Sequence, residues 1–181
     1  MTEVFLLLGS NRGEREMFIS RALEMIETRV GKVRMKSGLY ETDPWGFTDA
    51  VAFLNQVVEI DTMLEPENLL EQLLAIEVKL GRIRPFDGCG CSFPASPAEA
   101  EPGIIKAPAY AGRTIDIDIL FYGPRLVFTD RLMIPHPRLH ERSFTLIPMN
   151  EIAPEFVHPL LKKTISVLLK ECRDQAGVRA I

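Results

Sequence analysis

The sequence is poor in the residues that mark a disulfide scaffold, a membrane protein or a nucleic-acid binder. It has 3 cysteines and 3 histidines among 181 residues. Cys89 and Cys91 fall close together in a soft segment, Cys172 is far from both, and no histidine is near them, so neither a disulfide framework nor a zinc site is expected. No apolar run approaches the roughly 20 residues of a membrane-spanning helix. The opening "MTEVFLLLGSN" has no basic stretch ahead of its short apolar run, and a cytoplasmic protein with no membrane partner is expected. Positive charge is not in excess: 21 Lys and Arg stand against 25 Asp and Glu, a formal net charge of -4 at pH 7. Whole-molecule attraction to nucleic acid is therefore not indicated, and an anion site has to be built locally. The phosphate-binding pattern G-x-x-x-x-G-K-[ST] is missing, and "GCGCSF" lacks the third glycine and the flanking strand of a dinucleotide fingerprint. Internal repeats are absent as well. What remains, 46% hydrophobic and 25% charged residues, is the ordinary composition of one globular domain, 1–181, with a core of its own.

Within that domain, "VFLLLG" (4–9) is a continuous apolar run closed by glycine, as in a strand buried on both faces. Ser10 or Asn11 then caps a helix with Ile19, Leu23, Ile26 and Val30 at helical spacing, stopped by Gly31. "KVRMKSGLY" (32–40) and "AFLNQVVEID" (52–61) read as strands around a Pro/Gly loop. "PENLLEQLLAIEVKLG" sets Pro66 in a first helical turn, Leu69, Leu73, Ile76 and Leu80 on one face, and Gly81 at the end. "RTIDIDILFY" (113–122) alternates Ile115, Ile117, Ile119 and Phe121 with Thr114, Asp116, Asp118 and Leu120, a strand with one apolar face. Beyond it, prolines break 125–159 into short pieces, and "TISVLLKECRDQ" forms a closing helix with Ile165, Leu168, Leu169 and Cys172 inward. The order β-α-β-β-α-β with C-terminal additions predicts a ferredoxin-like α+β sandwich. Residues 85–112, rich in Gly, Pro, Ala and Ser, are too long for an ordinary connection and read as a mobile lid or a disordered insertion.

Asp116 and Asp118 share one face of their strand at a separation of roughly 6.5 to 7 Å, so they repel unless a cation or solvent intervenes. Asp is depleted from strands, and two in succession on an otherwise strongly β-forming segment point to a cation more than to a solvated face. Mg²⁺ takes one or two carboxylates and leaves its other positions to water and phosphate oxygens. Arg82 and Arg84 follow the second helix, Arg113 opens the aspartate strand, and Arg131, Arg138 and Arg142 lie beyond it. Arginines at both ends of a long loop, with Arg113 next to the carboxylate pair, have the parts of a clamp on a metal-bound polyphosphate. His136 in "PHPRLH" reads as a structural histidine, a metal ligand or a nucleotide contact. Asn55 reads as a reader of a heterocycle edge or a solvent-facing amide. Phe53, Trp45 and Phe144, taken alone, read as core.

"LGSNRGER", "YETDPWG", "FLNQVV", E-x-x-L-G-R-x-R, "RTIDIDIL" and "IPHPRLHERSF", in this order over about residues 3–150, resemble the 6-hydroxymethyl-7,8-dihydropterin pyrophosphokinases of folate biosynthesis. The resemblance implies transfer of the terminal pyrophosphate of ATP to the hydroxymethyl group of a reduced pterin, with release of AMP, on a ferredoxin-like fold. It implies two Mg²⁺ ions on Asp116 and Asp118. Arg82, Arg84 and Arg113 resemble the loop arginines that meet the phosphates. Arg131, His136 and Arg142 would complete the ATP site, and Ile119 and Met133 would contact the adenosine. For the pterin it implies an aromatic sandwich of Phe53 and Phe144, edge reading by Asn55, and a wall of Gly9, Thr42, Asp43 and Trp45. Stacking suits a flat heterocycle. The family joins its R-x-R element to the aspartate strand in far fewer residues, so 85–109 looks like an insertion, and Tyr110 is taken as the substitute for the aromatic that stacks in the closed loop. The enzyme is expected to be a monomer.

A diphosphokinase or nucleotidyltransferase acting on another alcohol shares the aspartate chemistry but not the "YETDPWG" and "FLN" elements. A ligand-binding regulatory module or an RNA-binding sheet would share the fold. The acidic pI near 5.5 and the two carboxylates on the 113–122 strand count against RNA.

Overall fold

Five apolar residues in a row, Val4 to Leu8, can be buried only if both faces of a strand are covered, and β1 (Thr2–Ser10) is covered on both. Val4, Leu6 and Leu8 enter one core, and Phe5 and Leu7 enter a second on the opposite side. The computed structural model describes residues 1–43, 51–82 and 113–181. Trp45, Arg84, Cys89, Cys91, Tyr110 and the 85–112 segment lie outside the described residues.

β1 pairs antiparallel with β4 (Phe53–Thr62) on one side and with β5 (Asp116–Tyr122) on the other. The outer side of β4 receives β2 (Gly31–Lys36) and β3 (Tyr40–Thr42), and β8 (Val178–Ala180) extends the sheet beyond β3. The first core lies under α1 (Arg15–Arg29) and α2 (Pro66–Lys79). The second lies under α3 (Ser143–Ile152) and α4 (Ile165–Glu171). α1 lies between β1 and β2, which flank β4 in the sheet, and α2 between β4 and β5, which flank β1. This split β-α-β arrangement is the expected ferredoxin-like sandwich, with a second helical layer on its other face. A small hairpin, β6 (Val127–Phe128) with β7 (Met133–Ile134), follows β5.

Several local expectations are corrected. The 32–40 segment is not one strand, because Ser37 leaves the ladder: its Oγ accepts the Val57 N–H at 3.0 Å and its carbonyl accepts Gln56 Nε2 at 2.6 Å. Neither Ser10 nor Asn11 caps α1, which starts at Arg15 without a side-chain cap bond. Both are instead used to clip the end of β1 to the approach of β5. Ser10 Oγ donates to the Thr114 carbonyl at 2.6 Å, and Asn11 Oδ1 accepts the Arg113 N–H at 2.7 Å. α1 stops at Val30, and Gly31 is already the first residue of β2 rather than a helix terminator. Leu23 is only half-buried, and Ala22 fills the core position beside it.

The isoleucine/aspartate alternation also stops short of Phe121. A register shift leaves Leu120 between the Phe5↔Phe121 and Leu6↔Ile119 pairs, so Leu120 and Phe121 both join the second core. α3 runs through Pro148, which lacks the N–H that would bond the Phe144 carbonyl; burial of Leu146, Pro148 and Met149 sustains the helix. α4 ends at Glu171, and Cys172 is its half-buried C-cap. The chain beyond α4 is tail and strand, not helix.

In the second core His158 packs edge-on to Phe121, ring centroids 5.3 Å apart, and its Nδ1 accepts the backbone N–H groups of Leu160 and Leu161, each at 3.2 Å. A ring nitrogen used twice as an acceptor cannot carry a proton. Burial, with the nearby His140, lowers the His158 pKa from 6.5 to about 4. The unfolded chain therefore binds a proton that the fold rejects, and stability should fall as pH drops from 6.5 towards 4. The expected difference between those limits is about 3 kcal/mol, and a His158→Gln variant should lose that part of the acid sensitivity in urea titrations.

Candidate active site

On the face of the sheet covered by α3 and α4, an open pocket of about 100 Å³ is lined by Leu7, Gly9, Thr42, Asp43, Phe53, Asn55, Arg113, Asp116, Asp118, Arg142 and Phe144. Its floor follows from register. Gly9 sits between Asn55 on β4 and Asp116 on β5, and Leu7 opposes Asp118. Alternation then puts Asn55, Gly9, Asp116 and Asp118 on the same side of three adjacent strands. The end of β3 contributes Thr42 and Asp43, and the first turn of α3 contributes Arg142 and Phe144.

Asn55 is buried and donates its Nδ2–H to Thr42 Oγ1 at 2.7 Å, which fixes the amide and leaves Oδ1 as the acceptor in the pocket. Gly9 makes room for that oxygen, since a Cβ on Gly9 would lie 2.9 Å from Asn55 Oδ1 and 3.9 Å from the Phe53 ring. Arg142 lies over the face of Phe144, with Cζ 5.5 Å from the ring centroid.

The carboxylates are inequivalent. Asp116 is gripped by Arg113 and Arg82, one on each oxygen. Burial alone would raise its pKa, but the two guanidinium groups outweigh it and hold the carboxyl below the usual aspartate range. Asp118 is pushed up to about 7, first by burial and then by the charge of Asp116, with Glu77 adding to the effect against Arg142 and Arg113. A site that disfavours the second negative charge is short of positive charge. Among the described residues no group of three or more His, Cys, Asp or Glu forms a complete metal cage. Two carboxylates opening on a pocket fit Mg²⁺ that keeps water and phosphate ligands.

Glu77 was not singled out from sequence, although it opens the E-x-x-L-G-R-x-R element. It is 1% exposed, and its Oε1 accepts Arg82 Nη1 at 2.5 Å and the Ile117 N–H at 2.8 Å. It thereby ties the end of α2 to both Arg82 and β5. Glutamates near helix ends are common, and only the ion pair with a residue five positions on distinguishes this one.

The remaining residues expected around a nucleotide lie elsewhere. His136 donates its backbone N–H to the Leu120 carbonyl at 3.0 Å, so it follows the outer edge of β5, and its Nδ1 accepts the Arg138 N–H at 3.3 Å. Burial and Arg142 lower its pKa to about 4, against the pull of Asp116, so the ring is neutral with Nε2 as donor. Met133 is exposed on β7, Arg131 stands 3.8 Å from Glu71 of α2, and Ile119 faces the first core. None of these four lines the pocket.

The profile of the 7,8-dihydro-6-hydroxymethylpterin-pyrophosphokinase family matches residues 5–92 and 95–154. A 2-amino-4-hydroxy-6-hydroxymethyldihydropteridine pyrophosphokinase of Porphyromonas gingivalis is 39% identical over 161 residues, 88% of this chain and 95% of that one. The Bacillus subtilis pyrophosphokinase of the same name is 36% identical over 152 residues, 83% of this chain and 78% of its own. A folic acid synthesis protein of Pneumocystis carinii is 38% identical over 171 residues, but the chain spans only 20% of its length. The crystal structure of wild-type HPPK-DHPS from Plasmodium falciparum superposes with a TM-score of 0.69 at 17% identity, over 94% of this chain and 44% of that one, a likeness of fold. With a profile match that spans α1, α2, α3 and the aspartate strand, and with bacterial relatives of nearly its own length, the chain belongs to the 7,8-dihydro-6-hydroxymethylpterin pyrophosphokinase family.

Proposed function

We propose that this pocket transfers the pyrophosphoryl group of ATP to the hydroxymethyl group of 6-hydroxymethyl-7,8-dihydropterin, giving the pterin diphosphate and AMP for folate synthesis. The carrying observation is one cavity in which an oriented amide and two aromatic rings stand beside a carboxylate pair and two arginines. The pterin ring lies between Phe53 and Phe144. Its guanidine-like edge donates to Asn55 Oδ1, which Thr42 keeps from turning, and to Asp43. Asp116 and Asp118 would hold Mg²⁺, two ions in this reading, which would supply charge neutralisation to the phosphates. Arg113 and Arg82, now on Asp116, present guanidinium groups to phosphate oxygens beside that carboxylate, and Arg142 reaches the same phosphates from α3. The nucleoside crosses the outer edge of β5 towards Ile119, Met133, Arg131 and His136, whose neutral Nε2–H donates without adding charge. The pterin hydroxyl then attacks the β-phosphorus, the bond from that phosphorus to the α–β bridging oxygen breaks, AMP leaves with that oxygen, and the hydroxyl proton passes to solvent. Such a transfer depends on alignment and charge stabilisation more than on a strong base. Action as a monomer in the cytoplasm belongs to the same reading.

The test is AMP release from ATP, Mg²⁺ and the hydroxymethyl pterin, with pterin diphosphate formed in equal amount; no AMP release would overturn the proposal. Gly9→Ala should raise the pterin KM about tenfold by displacing Asn55 Oδ1, with Tm little changed, in steady-state assays at saturating ATP.

A further inference from the structure

α3 carries one wall of the pocket on its first turn, yet its own sequence does not cap that turn. Arg142, at the N-cap position, makes no side-chain cap bond, and the first turn has no acidic residue. The missing acceptor arrives from the C-terminal tail, 31 positions downstream. Asp174 Oδ2 accepts the Ser143 N–H at 2.9 Å and the Ser143 hydroxyl at 2.8 Å. Its Oδ1 accepts the Ala176 N–H at 3.1 Å, which folds the tail back on itself. The tail then touches the opposite wall. The Asp43 N–H donates to the Gly177 carbonyl at 3.3 Å, and a Cβ on Gly177 would lie 3.0 Å from Asp43 Oδ2. Immediately afterwards β8 pairs with β3, the Thr42↔Val178 pair coming first.

The run 174–177 thus connects Ser143, next to Phe144, with Asp43, next to Thr42. The family profile ends at residue 154, before this tail begins. We infer that residues 174–177 form a strap that sets the width of the pterin slot, with Asp174 as a positioning residue for Phe144 and Gly177 as one for Asp43. This rests on the assignment of the pocket to the pterin. A carboxylate that accepts both Ser143 donors fixes the rotation and entry angle of α3, and with them the distance at which the Phe144 ring meets a flat ligand. Asp116 and Asp118 sit on β5, which the strap does not touch, and of the proposed ATP contacts only Arg142 lies on the capped turn.

The experiment compares pterin and ATP-analogue dissociation constants, by fluorescence titration with Mg²⁺, for the full-length wild type and four variants. Asp174→Ala should raise the pterin Kd about fivefold to twentyfold, the range of a lost helix cap, and change the ATP-analogue Kd less than twofold. Asp174→Asn, which keeps a carbonyl oxygen for Ser143, should stay within about threefold of wild type for the pterin. Gly177→Ala should raise the pterin Kd at least threefold by pushing on Asp43. Phe144→Ala should weaken the pterin in any case. If Phe144→Ala has no effect, the pocket assignment fails and the strap with it. If Phe144→Ala weakens the pterin while Asp174→Ala and Gly177→Ala leave it within twofold, the strap alone is refuted. Equal weakening of both ligands in step with a fall in Tm would reduce Asp174 to a structural cap and also refute it. Should Asp174→Ala fail to fold, Gly177→Ala and Asp174→Asn decide by the same criteria.

Discussion

Asp118→Ala should lower kcat/KM for pyrophosphoryl transfer by about a thousandfold or more and leave a protein that is at least as stable as the wild type above pH 7. The two effects have one cause. Asp118 lies beside Asp116 in a partly desolvated pocket, and its pKa rises from 3.8 to about 7. A raised folded-state value means that the fold disfavours the ionised carboxylate. Without a metal the wild type therefore loses stability as pH rises from about 4 through about 7, and the alanine variant does not. Thermal unfolding in a chelator at pH 8 should give the variant the higher Tm. Adding Mg²⁺ and an ATP analogue should reverse the order, because only the wild type has both carboxylates to bind them. Asp116→Ala should be as inactive, but it leaves Arg113 without its carboxylate and gains no such stability. Full activity in either variant would remove the metal assignment. Lost activity with a collapsed fold would make the aspartates structural.

How much of this could be read in the chain depends on the range over which each feature is encoded. The buried β1 run, the amphipathic face of α2 and the alternation of Asp116, Ile117 and Asp118 are local patterns, and the sandwich follows from their order. The break at Ser37, the bulge at Leu120 and the diversion of Ser10 and Asn11 from capping are decided by partners far away in sequence, with which each residue bonds or pairs. Pro148 misled in the opposite direction, since a helix stops at a proline only when packing does not make up for one lost bond. At the site, the aspartates were legible from pattern and Asn55 as one of two readings, Gly9 and Phe144 came only with the family resemblance, and all of them converge in one cavity. Glu77 and Asp174 were not legible, because a carboxylate acts as a positioning group only through what it reaches. That Ile119 does not line the pocket also needed three dimensions: Ile119 and Asp118 are adjacent in sequence, yet alternation sends them to opposite faces of β5.

Arg82→Ala should lower kcat by about a hundredfold to a thousandfold, and it should also destabilise the protein by about 3 kcal/mol. The guanidinium lies between Glu77 and Asp116, 11% exposed, with Glu77 only 1% exposed. Removing it takes from the buried Glu77 carboxylate the guanidinium that bonds its Oε1, while the Ile117 N–H still donates to the same oxygen. Asp116 retains Arg113, so the carboxylate pair keeps part of its balance. The two losses are separable. Glu77→Gln added to Arg82→Ala removes the negative charge that Arg82 balanced while its amide oxygen still accepts from Ile117, so the double variant should recover most of the stability. It should recover none of the rate, because the missing positive charge at the phosphates is not replaced. Denaturant unfolding and single-turnover AMP formation on the two variants measure each loss. If the double variant regains activity together with stability, Arg82 acts by holding Glu77 and α2 in place. If the rate stays low in a fully restored fold, Arg82 acts on the phosphates themselves, and its grip on Asp116 is the state from which the metal-loaded nucleotide draws it.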